Sequence, residues 1–266
     1  MNIELVSQRV PGPIERPAVL FVHGAFHGAW CWERFYMPFL GAHGWESHAL
    51  SLRGHGGSDG ADMIKNWRLA DYVADVVKVL DRLAKPVVIV GHSMGGVIAQ
   101  EVWRKEPKRV VGQGLLASSP LRPDPHVVKR IARQHPISFL LGNLFSSPTL
   151  LRRAMFPFFL SDDAPAEERR WVIEQLSLES PGAMSEVFSR QAPCPRPGDE
   201  RPTLVIAGRE DWSIPLSAHE PLVQAYGADF RVCEGSHDLM LDSRWKDSAE
   251  ALLGWLNSAA IDPGRG

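Results

Sequence analysis

One serine of the chain stands where its hydroxyl could act as a nucleophile. Ser93 is the centre of a Gly-x-Ser-x-Gly pattern, GHSMG over residues 91–95. The apolar run PVVIV (86–90) precedes it, and the helix-compatible segment GGVIAQEVW (95–103) follows it. A sharp strand-to-helix turn lifts such a hydroxyl out of a sheet, and glycines at its flanks give the crowded backbone room. The pattern therefore predicts attack on an acyl carbonyl.

A serine hydroxyl is a weak nucleophile at neutral pH, so it needs a base and an acid that orients the base. His237 follows the strand-like run DFRVCEG (229–235), and Glu210 and Asp211 follow the run TLVIAG (203–208). The carboxyl ends of parallel strands share one edge of a sheet, where Ser93 would also lie. The chain order of serine, acid and histidine fits this interpretation. On position alone, either carboxylate could serve as the acid.

The other histidines fit structural roles better than a catalytic one. His92 lies within the turn itself, where we expect its side chain to pack away from the hydroxyl. His23 is expected to form structural hydrogen bonds. His219 falls in a helix-like run after Pro215, where we expect a solvated surface position.

Two backbone N–H groups are candidates for binding an oxyanion. Met94 begins the helix after the nucleophile, and Ala25 follows the first strong strand-like run, within HGAF (23–26). Phe26 and Trp30 could line the substrate pocket, as could Trp212 beside the acid. The alternative is a packed loop of buried aromatic residues, and both descriptions can hold together.

Strand-like and helical segments alternate, which predicts an α/β fold with a mostly parallel sheet and helices on both faces. Strands are predicted over 17–24, 47–54, 86–91, 110–118, 203–208 and 229–235, and helices over 69–84, 94–106 and 245–257. From about 121 to 200 there is no buried-strand pattern, and Pro, Phe and Trp are frequent. We predict a core domain of residues 1–120 and 201–266, with a helical cap insertion at 121–200.

Composition argues against some classes of function. The 266 residues carry 29 Lys and Arg against 31 Asp and Glu, so the net charge of −2 argues against nucleic acid or an anionic membrane as partner. No signal-peptide pattern and no membrane-spanning apolar stretch occurs. Cys31, Cys194 and Cys233 fit no zinc spacing, and we expect reduced thiols of a cytoplasmic protein. We expect no metal, no cofactor and a small-molecule partner, in a monomer or homodimer.

Five segments together resemble the α/β-hydrolase superfamily over nearly the whole chain. They are HGA (23–25), RGHGGSD (53–59), GHSMGG (91–96), GREDWSIP (208–215) and GSH (235–237). The stretch HGAFHGAWCW (23–32) also resembles the methylesterase and hydroxynitrile-lyase branch. The resemblance implies a catalytic triad in which Asp211 is preferred over Glu210, an oxyanion hole and a cap near 121–200. The implied triad and oxyanion donors are Ser93, His237, Asp211, Ala25 and Met94.

Departures from the resembled families narrow the expected function. Lyases of that branch place a lysine directly after the catalytic histidine, where this chain has Asp238, which argues against cyanohydrin cleavage. Dehalogenases and epoxide hydrolases of the superfamily need an aspartate where Ser93 stands. We expect a carboxylesterase-type serine hydrolase acting on a small, apolar or aromatic ester. The alternatives are a C–C bond hydrolase, thioesterase, lactonase or cofactor-free perhydrolase, and a non-catalytic small-molecule receptor.

Overall fold

The computed structural model describes residues 1–11, 16–120, 160–161, 164–189, 194–258 and 261, and this part of the chain contains a seven-stranded sheet. The order across the sheet is β1-β3-β2-β4-β5-β6-β7. Only β1 runs antiparallel to its neighbour, β3; the other pairs are parallel. The α/β fold with a mostly parallel sheet is thus confirmed. The strands are β1 (Leu5–Gln8), β2 (Ala18–Val22), β3 (Ser47–Leu50), β4 (Val87–His92), β5 (Val110–Leu116), β6 (Thr203–Gly208) and β7 (Asp229–Cys233).

Helices connect the strands and cover the sheet. The α-helices within the described residues are α1 (Trp30–Glu33), α2 (Tyr36–Ala42), α3 (Leu69–Leu83), α4 (Met94–Lys105), α5 (Ala166–Gln175), α6 (Pro181–Ser189), α7 (Glu220–Tyr226) and α8 (Trp245–Leu256). Short 3-10 helices cover Ala61–Asn66 and Leu216–Ala218.

The central strands are buried on both faces, as their continuous apolar runs predict. Along β2, Val19 and Phe21 belong to one core cluster, and Leu20 and Val22 belong to a second cluster. Successive side chains of a strand point to opposite faces, so the two clusters lie on opposite sides of the sheet. Helices α1, α2 and α8 contribute to the first cluster, and α3 and α4 to the second. Each fully buried aliphatic side chain stabilises the fold by about 1.5–3 kcal/mol.

The structure adds short helices and one strand to the predicted elements, and it corrects the expectation for one residue. Each of the six predicted strands overlaps an observed strand, and β1 is an edge strand that the sequence pattern did not indicate. His219, expected on the surface, is fully buried, and its ring stacks on Phe230 of β7 at a centroid distance of 6.4 Å. The expectation of a solvated side chain was therefore wrong.

The predicted cap is described only in part. Helices α5 and α6 lie within the predicted insertion at 121–200, and residues 121–159 fall outside the described residues. The division into core and cap therefore stays a prediction.

None of the described helices combines the length and apolar composition that a membrane crossing needs. The three cysteines are free, with Cys31 and Cys233 buried and Cys194 exposed. Burial, with nearby acidic groups, raises the pKa of the Cys31 thiol and raises that of Cys233 to about 12. These two thiols stay protonated near neutral pH and are poor nucleophiles.

Candidate active site

The turn between β4 and α4 presents Ser93 in a strained conformation. Its backbone has φ 52° and ψ −117°, a region that residues other than glycine rarely adopt. A Cβ on Gly91 would lie 2.2 Å from the carbonyl oxygen of Gly95, and one on Gly95 would lie 2.4 Å from that of Val22. A Cβ on Gly96 would meet a side-chain oxygen at 2.1 Å. The turn is therefore possible only with glycine at these positions, as the sequence pattern predicts.

The structure brings the predicted nucleophile, base and acid together. His237 Nε2 lies 3.0 Å from Ser93 Oγ, and His237 Nδ1 lies 2.7 Å from Asp211 Oδ2. The other carboxylate oxygen of Asp211 accepts hydrogen bonds from the Ser213 N–H and hydroxyl, and from the Ile214 N–H. Asp211 and His237 are 5 % and 7 % exposed, so little water competes for these contacts. The chain can thus pass a proton between the serine and the imidazole.

The competing carboxylate, Glu210, points elsewhere. Its side chain is bonded to the Arg244 guanidinium at 2.8 and 2.5 Å, on the protein surface. Of the two candidates that the sequence left open on position alone, the structure puts Asp211 against the imidazole.

Charge interactions favour the ionised form of both buried groups in this pair. Burial alone would raise the pKa of Asp211, but the His237 charge and hydrogen bonds from His237 and Ser213 outweigh it, and the pKa is lowered. Burial alone would lower the pKa of His237, but the charge and hydrogen bond of Asp211 outweigh it, and the nearby Asp238 adds to the effect. The His237 pKa is therefore raised, which suits a base that must hold a proton during a reaction.

A second buried cluster lies directly behind His237, and no sequence pattern marks it apart from Asp238, which stands where the resembled lyases have a lysine. Asp238 is fully buried and its Oδ2 accepts a hydrogen bond from His27 Nε2 at 2.9 Å. His92 Nε2 donates to the His237 carbonyl oxygen at 3.1 Å and lies 3.5 Å from Asp238 Oδ1. Burial and then the His237 charge lower the His92 pKa to about 3, so His92 is neutral. Its expected orientation away from the Ser93 hydroxyl stays a prediction.

The spacing within this cluster is compatible with a metal ion. Donor atoms of His92, His237 and Asp238 all lie within 4.8 Å of one another. However, both ring nitrogens of His237 already face Asp211 and Ser93. A metal bound there would displace the hydrogen bonds that join the serine, the imidazole and the acid.

The predicted oxyanion loop packs directly on the nucleophile turn. A Cβ on Gly24 would lie 3.1 Å from Ser93 Cβ, which brings the loop after β2 against the serine. Ala25 and Met94 are buried, and neither backbone N–H donates to another described residue. His23 Nε2 accepts from the Leu52 N–H at 3.0 Å, so this ring is neutral and structural, in agreement with its pKa, which burial lowers.

The three predicted pocket residues are half-buried around this region. Phe26 and Trp212 pack against the hydrophobic core beside the site. Trp30 stacks on His27 at a centroid distance of 5.1 Å and meets Trp171 of α5 edge-to-face at 5.3 Å. Their contact with a substrate stays a prediction.

Comparison with known proteins finds one matching family, several related sequences and several solved structures with a similar fold. The profile of the family described as "Alpha/beta hydrolase family" matches residues 19–251. The chain is 35% identical to methyl jasmonate esterase 1 of Vitis vinifera over 98 residues, which cover 36% of each protein. It is 32% identical to salicylic acid-binding protein 2 of Nicotiana tabacum over 101 residues, 37% of this chain and 38% of that protein. The matches thus span little more than a third of the length of these two relatives.

Solved structures resemble the whole chain. A thermophilic esterase from Thermogutta terrifontis superimposes with a TM-score of 0.75 at 19% identity, covering 97% of this chain and 94% of that one. The enol-lactonase from Burkholderia xenovorans LB400 gives a TM-score of 0.72 at 18% identity, covering 96% of both chains. At these identities the likeness establishes a shared fold.

Proposed function

The chain belongs to the alpha/beta hydrolase family, and we propose that within it the protein is a serine hydrolase of the carboxylesterase type. The observation that carries the proposal is the double engagement of His237. Its Nε2 lies 3.0 Å from Ser93 Oγ while its Nδ1 lies 2.7 Å from Asp211. A buried imidazole held by a carboxylate on one nitrogen, with a strained serine on the other, supports acyl transfer through a covalent intermediate.

The proposed reaction proceeds in two halves. Ser93 Oγ attacks the ester carbonyl carbon while its proton passes to His237 Nε2, and Asp211 stabilises the imidazolium. The carbonyl oxygen becomes an oxyanion that the N–H groups of Ala25 and Met94 bind, each donor lowering the barrier by about 3 kcal/mol. His237 then protonates the leaving alcohol as the C–O bond breaks, which leaves the acyl group on Ser93. Water attacks this acyl group and gives a proton to His237. The bond between the acyl carbon and Ser93 Oγ then breaks, His237 returns the proton to Oγ, and the acid is released.

A small ester with an apolar or aromatic part is the proposed substrate. Esterases occur among both the related sequences and the related structures, which supports an ester. The aromatic contact between Trp30 and Trp171 brings apolar surface to the loop beside Ser93, which supports an apolar group. The steps need no metal or cofactor, and the free thiols support the proposed cytoplasmic location.

Replacement of the nucleophile tests the proposal. We expect Ser93→Ala to reduce turnover of p-nitrophenyl esters below about a thousandth of the wild-type value, and to abolish labelling by a fluorophosphonate probe. Ser189→Ala is the matched control, because the Ser189 hydroxyl is exposed on α6 and bonded only to the Ser185 carbonyl among the described residues. It should keep full activity and labelling.

A Ser93→Ala variant that keeps most of its turnover would refute the assignment. An unlabelled and inactive wild-type protein would favour a non-catalytic receptor. A panel of short and long acyl esters, aryl esters, thioesters and lactones then identifies the preferred bond, since the same triad can cleave each of them.

A further inference from the structure

A buried carboxylate reaches the predicted oxyanion loop from the segment between α5 and α6. Glu179 is 8 % exposed and accepts four hydrogen bonds. Its Oε2 accepts from the Phe26 N–H at 3.2 Å and from His55 Nε2 at 3.1 Å. Its Oε1 accepts from the Tyr72 hydroxyl at 2.7 Å and from the Ser180 N–H at 2.6 Å. An ionised carboxylate is an acceptor only, so it satisfies all four donors at once.

His55 supplies the charge that keeps this carboxylate ionised. Its Nδ1 lies 3.1 Å from the Arg53 carbonyl oxygen and its Nε2 faces Glu179, so both ring nitrogens must donate. Burial opposes a charge on His55, but the Glu179 carboxylate outweighs it and raises the pKa of His55. Burial likewise opposes a charge on Glu179, but the His55 charge and the hydrogen bonds from His55 and Tyr72 lower its pKa. The two side chains form a buried ion pair.

The Ala25–Phe26 peptide is held at both of its polar ends. Its N–H, on Phe26, donates to Glu179. Its carbonyl, on Ala25, accepts from His27 Nδ1 at 2.7 Å. The Phe26 carbonyl in turn accepts from the Ser177 N–H at 2.7 Å. Residues 177–179 are therefore hydrogen-bonded to both the N–H and the carbonyl of Phe26.

These hydrogen bonds hold Phe26 in a backbone conformation that the loop would not adopt by itself. Phe26 has φ 70°, a left-handed value that is costly for a large side chain and persists only where surrounding contacts enforce it. The Ala25 N–H belongs to the peptide immediately before the held one, so its direction depends on the same bonds. A donor that stabilises a transition state must be held within about 0.5 Å and 10–20° of its productive position.

We propose that Glu179 is a positioning residue that aims the Ala25 N–H at the oxyanion by anchoring the Ala25–Phe26 peptide. When residues 177–180 pack onto the core, the same contacts orient the oxyanion donor. The chemical part of this inference rests on the proposed function, in which Ala25 N–H binds the oxyanion.

The competing explanation is that Glu179 only fastens its segment to the core. Glu186 provides the matched control, because it lies on α6, which directly follows this segment, and its side chain also bonds to the core. Glu186 Oε2 accepts from the Leu69 N–H at 3.0 Å, and no bond joins it to the oxyanion loop among the described residues. A variant at each site separates positioning of the loop from attachment of the segment.

The test compares Glu179→Ala, Glu179→Gln and Glu186→Gln with the wild-type protein on a p-nitrophenyl ester. Loss of a whole oxyanion donor lowers kcat about 10²- to 10³-fold, so misplacing one by Glu179→Ala should lower kcat about 10- to 100-fold. KM should change less than about threefold, since the donor acts mainly on the transition state. Glu179→Gln keeps one acceptor oxygen, so its loss should be smaller, and Glu186→Gln should keep wild-type kcat.

Two further measurements report on the loop itself. Phenylboronic acid forms a tetrahedral adduct with a nucleophilic serine, so its affinity should fall in parallel with kcat in the Glu179 variants. Amide hydrogen exchange of the peptide covering residues 23–28 should speed up in both Glu179 variants and stay unchanged in Glu186→Gln. Exchange needs no activity, and Glu179→Gln serves if Glu179→Ala does not fold.

The outcomes separate the two proposals. A wild-type protein that neither hydrolyses esters nor binds the boronate refutes the proposed function, while hydrogen exchange still decides whether Glu179 holds the loop. An active wild-type protein whose folded Glu179→Gln variant keeps full kcat, full boronate affinity and unchanged exchange overturns the positioning role. Equal losses in Glu179→Gln and Glu186→Gln overturn it as well.

Discussion

One buried histidine–carboxylate pair belongs to the candidate site and a second lies against the oxyanion loop, and the two imidazoles differ in the partner of their other nitrogen. His237 pairs with Asp211 at the carboxyl-end edge of the sheet, and His55 pairs with Glu179 beneath the oxyanion loop. In both pairs, the partner's charge raises the pKa of the imidazole against the effect of burial. The second nitrogen of His237 faces the Ser93 hydroxyl, whereas that of His55 faces a backbone carbonyl.

The partner of this second nitrogen distinguishes the proposed base, His237, from a histidine with a structural role, His55. A hydroxyl can donate or accept, so His237 can lose its second proton and take one from the serine. A carbonyl oxygen only accepts, so His55 must keep a proton on both nitrogens to satisfy its partners. A histidine paired with a carboxylate is therefore not sufficient to indicate catalysis, and the partner of the other nitrogen decides its role.

The largest effect should come from exchanging the two histidines, each in turn, for glutamine. We expect His237→Gln to lower kcat/KM about 10⁴- to 10⁶-fold, because the serine loses its base. His55→Gln should lower it less than about tenfold, because the glutamine amide can still donate to Glu179. Steady-state kinetics on a p-nitrophenyl ester, with circular dichroism to confirm folding, measure both. Equal losses in two folded variants would contradict the distinction.

The same contrast explains how much of the site the sequence could predict. Ser93, Asp211 and His237 each follow a recognisable strand directly, so topology alone brings them to one edge. Glu179 follows no strand, lies in a segment without periodicity, and contacts Phe26 across 153 residues. No local pattern marks such a contact, which exists only once the segment has folded onto the core.

The central strands are marked clearly in the sequence, whereas the edge strand β1 and the burial of His219 are not. The central strands carry continuous apolar runs because both their faces are buried, and these runs are visible in the sequence. Strand β1 (LVSQ) is only partly buried and pairs on one side, antiparallel to β3, so its sequence is barely different from a loop. His219 was expected to be solvated because it falls in a helix-like run after Pro215, and its stacking on Phe230 is a contact with another element that this run does not show.

A smaller effect should appear in the pH dependence of stability. The folded-state pKa of His55 is raised above its ordinary value of 6.5. Its contribution to the stability of the folded protein is therefore fully present below pH 6.5 and is lost as the pH rises through the raised pKa. That of Glu179 is lowered below 4.5, so its contribution is lost as the pH falls through the lowered pKa. The free energy of unfolding of the wild-type protein should therefore exceed that of His55→Gln by about 3 kcal/mol between about pH 4.5 and 6.5. The difference should be smaller outside this window.

Urea unfolding at several pH values measures this difference, and His48→Gln is a control with the opposite sign. Burial lowers the pKa of His48, so protonation of His48 destabilises the folded protein as the pH falls. Replacing His48 by glutamine should therefore raise the free energy of unfolding at low pH relative to the wild-type protein. A constant gap between wild type and His55→Gln from pH 4 to 9 would show that the pair is not ionised.

The smallest expected effect concerns the surroundings of the base. His237 is faced by Asp211, by the neighbouring Asp238 and by His92, and the Asp238 charge adds to the raised pKa of the imidazole. Because the reaction needs neutral His237, kcat/KM should fall as the pH drops through this pKa. Asp238→Asn removes a negative charge, so the imidazole pKa should fall and the acid limb of the profile should move to lower pH. Glu210→Gln, at an exposed carboxylate beside Asp211 in sequence, should leave the limb in place. If Asp238→Asn left the limb unmoved while the protein stayed folded, the Asp238 charge would have no part in setting the pKa of the base.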